Sequence, residues 1–433
     1  MTIIFSWGRV AAWEHHLKTL SDRRHIAEII NESMPGLAYG MGRSYGDVGL
    51  NPNGFLWQTA KLDRLISFDE NTGQLSCEAG VLLRDIQRLM IPRGWILPVS
   101  PGTQLITVGG AIANDVHGKN QHHYGSFGNH IQKISLLRTD GEIIECGPQL
   151  RADWFSATLG GLGLTGFIVS AVIQLRRVVN PFLDIETIPY QNLSEFFSLA
   201  DEADLNSEYA VSWVDCLSAK GRGIFVRGNH SSGEHQLKIS QNSVGRTFPL
   251  TPPISLMNDF SIKIFNKCYF NLKKWRAGSA TVHYEPFFYP LDRLLEWNRL
   301  YGKKGFYQYQ ALVPRANRQE VIKAMLNEII RSGEGSFLAV LKTFSDKASL
   351  GTLSFPKSGV TLALDFPNKA EKTLGLFLRL DAIVQEASGR LYLAKDMRMS
   401  RDFFEKSYSK FSEFLSYRDP GISSSMSRRL MGY

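Results

Sequence analysis

The run SPGTQLITVGGAIANDVHGKNQHHYGSF at residues 100–127 combines small residues, strand-like apolar residues and one Val-His-Gly-Lys step. This composition suits a backbone wrapped closely around a large cofactor. Upstream, GMGRSYGD at residues 40–47 is a second glycine-rich turn, leaving the apolar run Leu37, Ala38 and Tyr39. Glycine tolerates positive φ and lets peptide N–H groups approach a pyrophosphate without a Cβ in the way, forming an anion-binding nest. Either run alone reads as an ordinary tight turn. Two within one half of a chain favour a dinucleotide, and Gly160, Gly161, Gly163 and Gly166 make a third glycine turn that enters a long strand. GxxxxGK[ST] is missing, and Gly40, Gly42 and Gly46 give GxGxxxG rather than GxGxxG, which argues against P-loop and Rossmann sites.

Other residues carry chemistry in a second region. Gln308 and Gln310 in FYQYQALV share one face of a strand, because alternate side chains point the same way. Two amides on one face can bind two sugar hydroxyls, or simply form an exposed strand face. Lys342 sits inside the apolar run FLAVLKTF, where a charge needs a partner or a ligand phosphate. Asp365 is a candidate partner. His117, His122 and His123 lie close in sequence, yet no carboxylate accompanies them in HEXXH fashion, so no metal is expected. Read alone, Lys395 in LYLAKDMRM is a solvated residue of an edge strand.

The elements that must position these residues fall into two kinds. The first 178 residues alternate short strands with brief helices: strand 75–79, helix 82–90, strand 131–138, an Asp140-Gly141 hairpin turn and strand 143–146. Beyond residue 177, strands at 209–215, 224–227, 306–313, 337–344 and 359–365, with helices at 192–204, 318–331 and 371–387, predict an α+β second domain with an antiparallel sheet. Residues 242–261, rich in Pro, Ser and Asn, read as a long surface loop. After residue 389 a helical tail is expected to return to the first domain.

At 433 residues the chain is long enough for two or three domains, and its 43% hydrophobic and 21% charged residues are those of a globular protein. No apolar run reaches the roughly 18 residues that span a bilayer, and the N-terminus has no basic n-region, so a cytoplasmic protein is expected. Four scattered cysteines without a CxxC pair argue against disulfides or zinc. The net charge of +8 is modest, but Lys263, Lys267, Lys273, Lys274 and Arg276 interleave with Phe265, Tyr269, Phe270 and Trp275. Such a stretch suits a membrane surface or a lipid phosphate, against the plainer reading of a solvated helix face. No nucleic-acid-binding signature accompanies it, and no nucleic-acid partner is expected.

Taken together, GMGRSYGD, the 100–127 run extended to Ile131, GGLGLTGFI, YQYQALVP, LALDFP and LYLAKDMRM resemble the decaprenylphosphoryl-β-D-ribose 2-oxidase-like group of the vanillyl-alcohol-oxidase superfamily, over nearly the whole chain. The resemblance implies a PCMH-type FAD-binding domain at 1–178, an antiparallel-sheet substrate domain at 179–388, and a segment 389–433 returning to the FAD domain, with the isoalloxazine at the junction. It implies that Gly40, Gly42, Arg43, Ser44, Tyr45 and Gly46 hold pyrophosphate and flavin. Pro101, Gly102, Thr103, Thr107, Gly109 and Gly110 would line the other side with Asn114, His117, Gly118, Lys119 and Gly125, and Ile168 would meet the adenine end through its backbone. Aldonolactone oxidases of the superfamily have a flavin-linked His where this chain has Arg43, so the implied FAD is non-covalent. Lys395 and Tyr45 take the catalytic positions, and Gln308, Gln310, Lys342, Asp365 and His117 surround the sugar. Two departures stand out: Ala363 replaces a Cys found in many actinobacterial members, and Thr361 replaces an Asn. The implied reaction oxidises the C2 hydroxyl of a polyprenyl-phosphate pentose to a keto sugar, which a short-chain reductase then reduces with inversion. The alternatives are a soluble aldonolactone or sugar-alcohol oxidase, and a non-catalytic flavin-binding subunit. Peripheral contact with the inner face of the cell membrane accompanies the leading reading.

Overall fold

A computed structural model describes residues 1–233 and 245–433. Near the N-terminus a four-stranded sheet runs in the order Thr2–Phe5, Ala12–Thr19, Phe55–Gln58, Gly36–Tyr39. Beside it an antiparallel sheet of five strands has the order Leu65–Asp69, Gln74–Glu78, Phe167–Gln174, Ile131–Leu137, Ile143–Cys146. The Asp140-Gly141 turn joins the last two, with Gly141 at φ 91°. The tail folds onto the first sheet: Ile422 bridges Gly36, and Arg429 pairs with Asp47 at 2.8 Å and Asp396 at 3.2 Å.

The middle of the chain builds an antiparallel sheet of eight strands, ordered Gly278–His283, Phe182–Tyr190, Gly223–His230, Tyr209–Val214, Ala339–Phe344, Gly359–Pro367, Phe306–Pro314, Arg390–Leu391. Its two faces differ because side chains alternate along each strand. Tyr309, Ala311, Val313, Leu341, Leu362 and Leu364 pack into the main core with the helices Leu193–Asn206, Arg318–Ser332 and Glu371–Glu386. Gln308, Gln310, Val340, Lys342 and Ala363 therefore fall on the opposite face, where they line a cavity.

Two expectations are corrected. Of the loop expected at 242–261, residues 242–244 lie outside the described residues. The rest contains a short parallel pairing of Arg246–Thr247 with Leu294–Leu295, and it ends in a 17-residue helix, Asp259–Trp275. Asn258 nucleates that helix by accepting hydrogen bonds from the backbone N–H of Phe260 and Ser261. LYLAKDMRM is also not a strand beyond Arg390–Leu391. The chain turns, the backbone N–H of Lys395 donates to Tyr392 O at 3.0 Å, and Lys395 sits on that turn rather than at a sheet edge.

Candidate functional site

A cavity of about 790 Å³ lies between the glycine turns of the N-terminal region, the uncovered face of the eight-stranded sheet and the segment 286–297. Its wall includes Gly40 and the Gly42–Gly46 turn, then Pro101, Gly102, Thr103, Thr107, Gly109 and Gly110. It continues through Asn114, His117, Gly118, Lys119 and Ile168, and from the other side Gln308, Gln310, Lys342 and Lys395. Of the cofactor-binding, substrate-binding and catalytic residues expected from sequence, two stand apart. Gly125 lies off the wall, where its φ of 76° ends the helix Gln121–Tyr124 and an added Cβ would meet Asn129 Oδ1 at 2.5 Å. Asp365 lies behind Gln308, whose Nε2 donates to its Oδ1 at 2.6 Å.

Register decides those partners. Gln308 pairs with Asp365 across neighbouring strands, whereas Lys342 pairs with Thr361. Asp365 is four residues farther along, roughly 13 Å at strand rise, so the expected Lys342–Asp365 pair does not form. Lys342 Nζ instead donates to Gly118 O at 3.5 Å. Gln310 Nε2 is shared between His117 Nε2 at 3.1 Å and Thr361 Oγ1 at 3.2 Å, so the two glutamine amides on one strand face are held by different protein partners. An amide N–H donating to His117 Nε2 leaves the imidazole proton on Nδ1.

Two glycines bring the catalytic candidates together. Gly42 adopts φ 59°, and a Cβ there would lie 2.2 Å from Tyr39 Oη. A Cβ on Gly46 would lie 1.8 Å from Asp396 O, so only glycine lets this turn meet the Lys395 turn. The contact is sealed by Tyr45 N–H donating to Ala394 O at 3.1 Å, and it sets Lys395 Nζ 3.7 Å from the centroid of the Tyr45 ring.

The electrostatics are unusual. Burial pushes Lys395 down to about 7; Asp365 opposes this fall and Lys342 adds to it. Burial likewise pushes Lys342 to about 8, and Lys119, with Lys342 nearby, to about 7. Among the described residues none of the three has a carboxylate within ion-pair distance. Lys119 Nζ donates to Phe287 O and lies 4.6 Å from the centroid of that residue's ring. Asp365 is pushed up to about 7 by burial, moderated by its Gln308 bond and by Lys395. Burial, with Lys342 and Lys395 near, holds His117 well below its ordinary value, and burial with Asp365 near raises the Tyr45 phenol.

The wall fits a large dinucleotide cofactor. Its volume is in the range of pockets for such ligands. Arg43 Nε, Asn114 Oδ1 and His117 Nδ1 are buried on it without a partner among the described residues, so they remain able to bind a ligand. An added Cβ on Gly102 would meet nothing within 4 Å, leaving that backbone approachable. Arg43 stacks 3.9 Å from the centroid of Trp7. A bulge in the pairing between Ile168 and Ser170 interrupts the ladder where Ile168 reaches the wall.

Sequence reasoning missed several wall residues. Trp7, Asp292, Trp297 and Tyr392 line the cavity. Asp292 accepts from the Gln104 backbone N–H at 2.9 Å, and burial raises its carboxyl. Tyr392 donates to Asn114 O at 3.1 Å. Only Tyr392 lay inside a motif that could have signalled it. His122 Nε2 is spent on Ser207 O at 2.8 Å, and no group of three potential metal ligands occurs among the described residues.

Comparison with known proteins gives concordant matches. The FAD binding domain family matches residues 17–147. Decaprenylphosphoryl-beta-D-ribose oxidase of Mycolicibacterium smegmatis is 34% identical over 99% of this chain and 97% of its own length. A protein of Streptomyces coelicolor, called an uncharacterized protein in the mprA 5' region, is 30% identical over 81% of this chain and all of its own. L-gulonolactone oxidase of Mus musculus is 29% identical over 39% of this chain and 38% of its own.

Proposed function

The chain belongs to the decaprenylphosphoryl-β-D-ribose oxidase family of FAD-dependent oxidoreductases, and from that premise we propose that it oxidises the C2 hydroxyl of a polyprenyl-phosphate-linked pentose to a keto sugar. The observation that carries this reading is one cavity with two characters. Lys342 and Gln310, on the strands Ala339–Phe344 and Phe306–Pro314, line it with Lys395 and His117, while Ile185, Val226 and Val282 line it from the three strands toward the opposite edge of the sheet. A ligand with a sugar phosphate head and an isoprenoid tail matches both.

Residues 1–178 with the returning segment 389–433 hold the cofactor in this reading, and residues 179–388 form the substrate half. When bound, FAD supplies the hydride acceptor. Arg43 and the Gly42–Gly46 turn face its pyrophosphate and flavin, with Gly102, Thr103, Gly109, Gly110 and Asn114 opposite. Arg43 offers no nucleophile at the position where the aldonolactone oxidases carry their flavin-linked His, so in this reading FAD is held non-covalently. Lys395, about half of it neutral near pH 7, takes the hydroxyl proton. Tyr45 fixes its position, and Lys342 meets the ligand phosphate. The keto product then passes to a short-chain reductase, completing an epimerisation at the cytoplasmic face of the membrane.

The test is the visible spectrum of the purified protein, before and after acid precipitation, then with polyprenyl-phosphoryl ribose without oxygen. Flavin released by acid and bleached by this substrate supports the reading; a colourless protein refutes it. Bleaching by aldonolactones alone favours the second reading, which the partial match to L-gulonolactone oxidase keeps open. Lys395→Ala should keep FAD and lose bleaching, separating a catalyst from a non-catalytic flavin-binding subunit.

A further inference from the structure

Resting on that function, we propose that the helix Asp259–Trp275, with the apolar residues just before it, docks flat on an anionic phospholipid bilayer and opens the apolar end of the cavity to the lipid phase. The helix sorts its side chains into arcs at its 3.6-residue period. Ile262, Asn266 and Phe270 face inward and are buried, with Asn266 Nδ2 donating to Asp215 at 2.9 Å. Phe260, Ile264, Leu272 and Trp275 form an outward apolar arc, with Phe260 74% and Trp275 79% exposed. Leu250 and Ile254, in the segment that leads into the helix, are about three-quarters exposed. Lys263, Lys267 and Lys274 fall on a third arc flanking the apolar one.

Single exposed apolar residues need no explanation, but a contiguous set on one helix does. The flanking lysines choose the occupant. Among the described residues Lys263, Lys267 and Lys274 have no ion-pair partner, and lysine is depleted at protein interfaces, whereas an apolar arc edged by lysines is the pattern of a helix lying in a membrane surface. No helix among the described residues is long and apolar enough to cross a membrane, which leaves the surface mode for this one.

The stripe is continuous with the site. Phe265, Tyr269 and Lys273 repeat at four-residue spacing along the edge of the helix and line the cavity, while Phe265 is also 41% exposed. An isoprenoid tail could therefore pass from the bilayer along the stacked rings of Phe265 and Tyr269, whose centroids lie 5.6 Å apart, to the apolar side chains of the cavity. Lys273, its Nζ 5.7 Å from the Tyr269 ring centroid, adds a cation to the cavity wall beside these rings.

The experiment is flotation of the FAD-loaded full chain with phosphatidylcholine vesicles, with and without phosphatidylglycerol. Wild type should float with the anionic vesicles. The combined variant Phe260→Ser, Ile264→Ser, Leu272→Ser, Trp275→Ser should not float. It should retain its flavin spectrum and its oxidation of a water-soluble short-chain prenyl-phosphoryl ribose, yet lose oxidation of a long-chain substrate embedded in vesicles. As an independent arm, each of Lys263→Ala, Lys267→Ala and Lys274→Ala should weaken binding to anionic vesicles roughly fivefold. Wild type that stays unbound, a serine variant that floats equally well, or a wild-type dimer that becomes monomeric in the serine variant would each overturn the proposal, the last by assigning the face to a second copy. Failure of wild type to oxidise any prenyl-phosphoryl ribose would count against the function instead, and flotation would still decide the docking.

Discussion

Replacing Asp365 by Asn separates two roles for Lys395, a base and a fixed cation. The substitution keeps an oxygen to accept from Gln308 but removes the charge that opposes the burial-driven fall of Lys395, which stands at about 7. Loss of a nearby opposite charge lowers an ammonium by about one unit or more. If Lys395 is a base, its neutral fraction at about pH 7, where Asp365 of the wild type begins to carry its charge, rises from roughly one half to roughly nine tenths, and anaerobic flavin reduction there speeds up about twofold, while well below pH 7 the two profiles converge. The alkaline plateau stays where it was. If Lys395 acts as a cation, the same substitution slows reduction near pH 7, because the ammonium is lost earlier. Stopped-flow reduction by saturating substrate between about pH 5 and 9 measures the profile. Because both groups titrate near 7 in the wild type, its acid limb belongs to the pair, and the variant should show a simpler single step. A variant profile that superimposes on the wild type refutes the electrostatic coupling on which both roles rest.

Two further perturbations test the frame around this pair. Gly46→Ala places a Cβ 1.8 Å from Asp396 O, so the two turns must part; FAD content should fall and the thermal midpoint drop by the equivalent of about 1–3 kcal/mol, and normal FAD content would count against the fit described. Lys342→Met should stabilise the cofactor-free protein. The folded value of this lysine, about 8, lies below its ordinary one, so its contribution is present above the ordinary lysine range and is lost as pH falls toward 8. The gain on substitution should therefore be absent near about pH 11 and grow to at most about 3 kcal/mol by about pH 7. A gain independent of pH, read by denaturant unfolding, would mean that packing rather than charge is responsible.

The sequence made the elements of the middle region legible where period-two patterns were strong. Strand 306–313 was placed within one residue of Phe306–Pro314, and helix 318–331 within one of Arg318–Ser332. Strands Thr2–Phe5, Ala12–Thr19 and Phe182–Tyr190 escaped notice, because mixed sequences such as AWEHHLKT and FLDIETIPY carry little alternation. The glycine turns pointed to a cofactor, but their meeting with the Lys395 turn depends on a contact between residues 350 apart in the chain. Register was equally hidden. That Lys342 and Asp365 lie on the same sheet face could be guessed from alternation, yet the offset that denies Lys342 its carboxylate and gives Asp365 to Gln308 exists only once strands pair.

That offset has a chemical consequence. Taking an ammonium out of water costs several kcal/mol unless an anion compensates, and the fold relieves Lys119, Lys342 and Lys395 mainly by letting them give up protons near neutrality. An anionic ligand in this cavity must raise all three again, so phosphate capture and proton uptake are linked. For Lys119 and Lys342 this linkage is an advantage, because a protonated lysine holds phosphate best. For Lys395 it is a conflict, because a base must stay neutral while the anion is bound. Lys395 lies on the Tyr45 ring, 3.7 Å from its centroid, and of the three it alone has a carboxyl, Asp365, that titrates near the same pH. A proton released by one member of that pair can be held by the other without a change in the net charge of the cavity. This gives Asp365 a reason to sit behind the wall, near enough to act on the charge of Lys395 and screened from the cavity by Gln308.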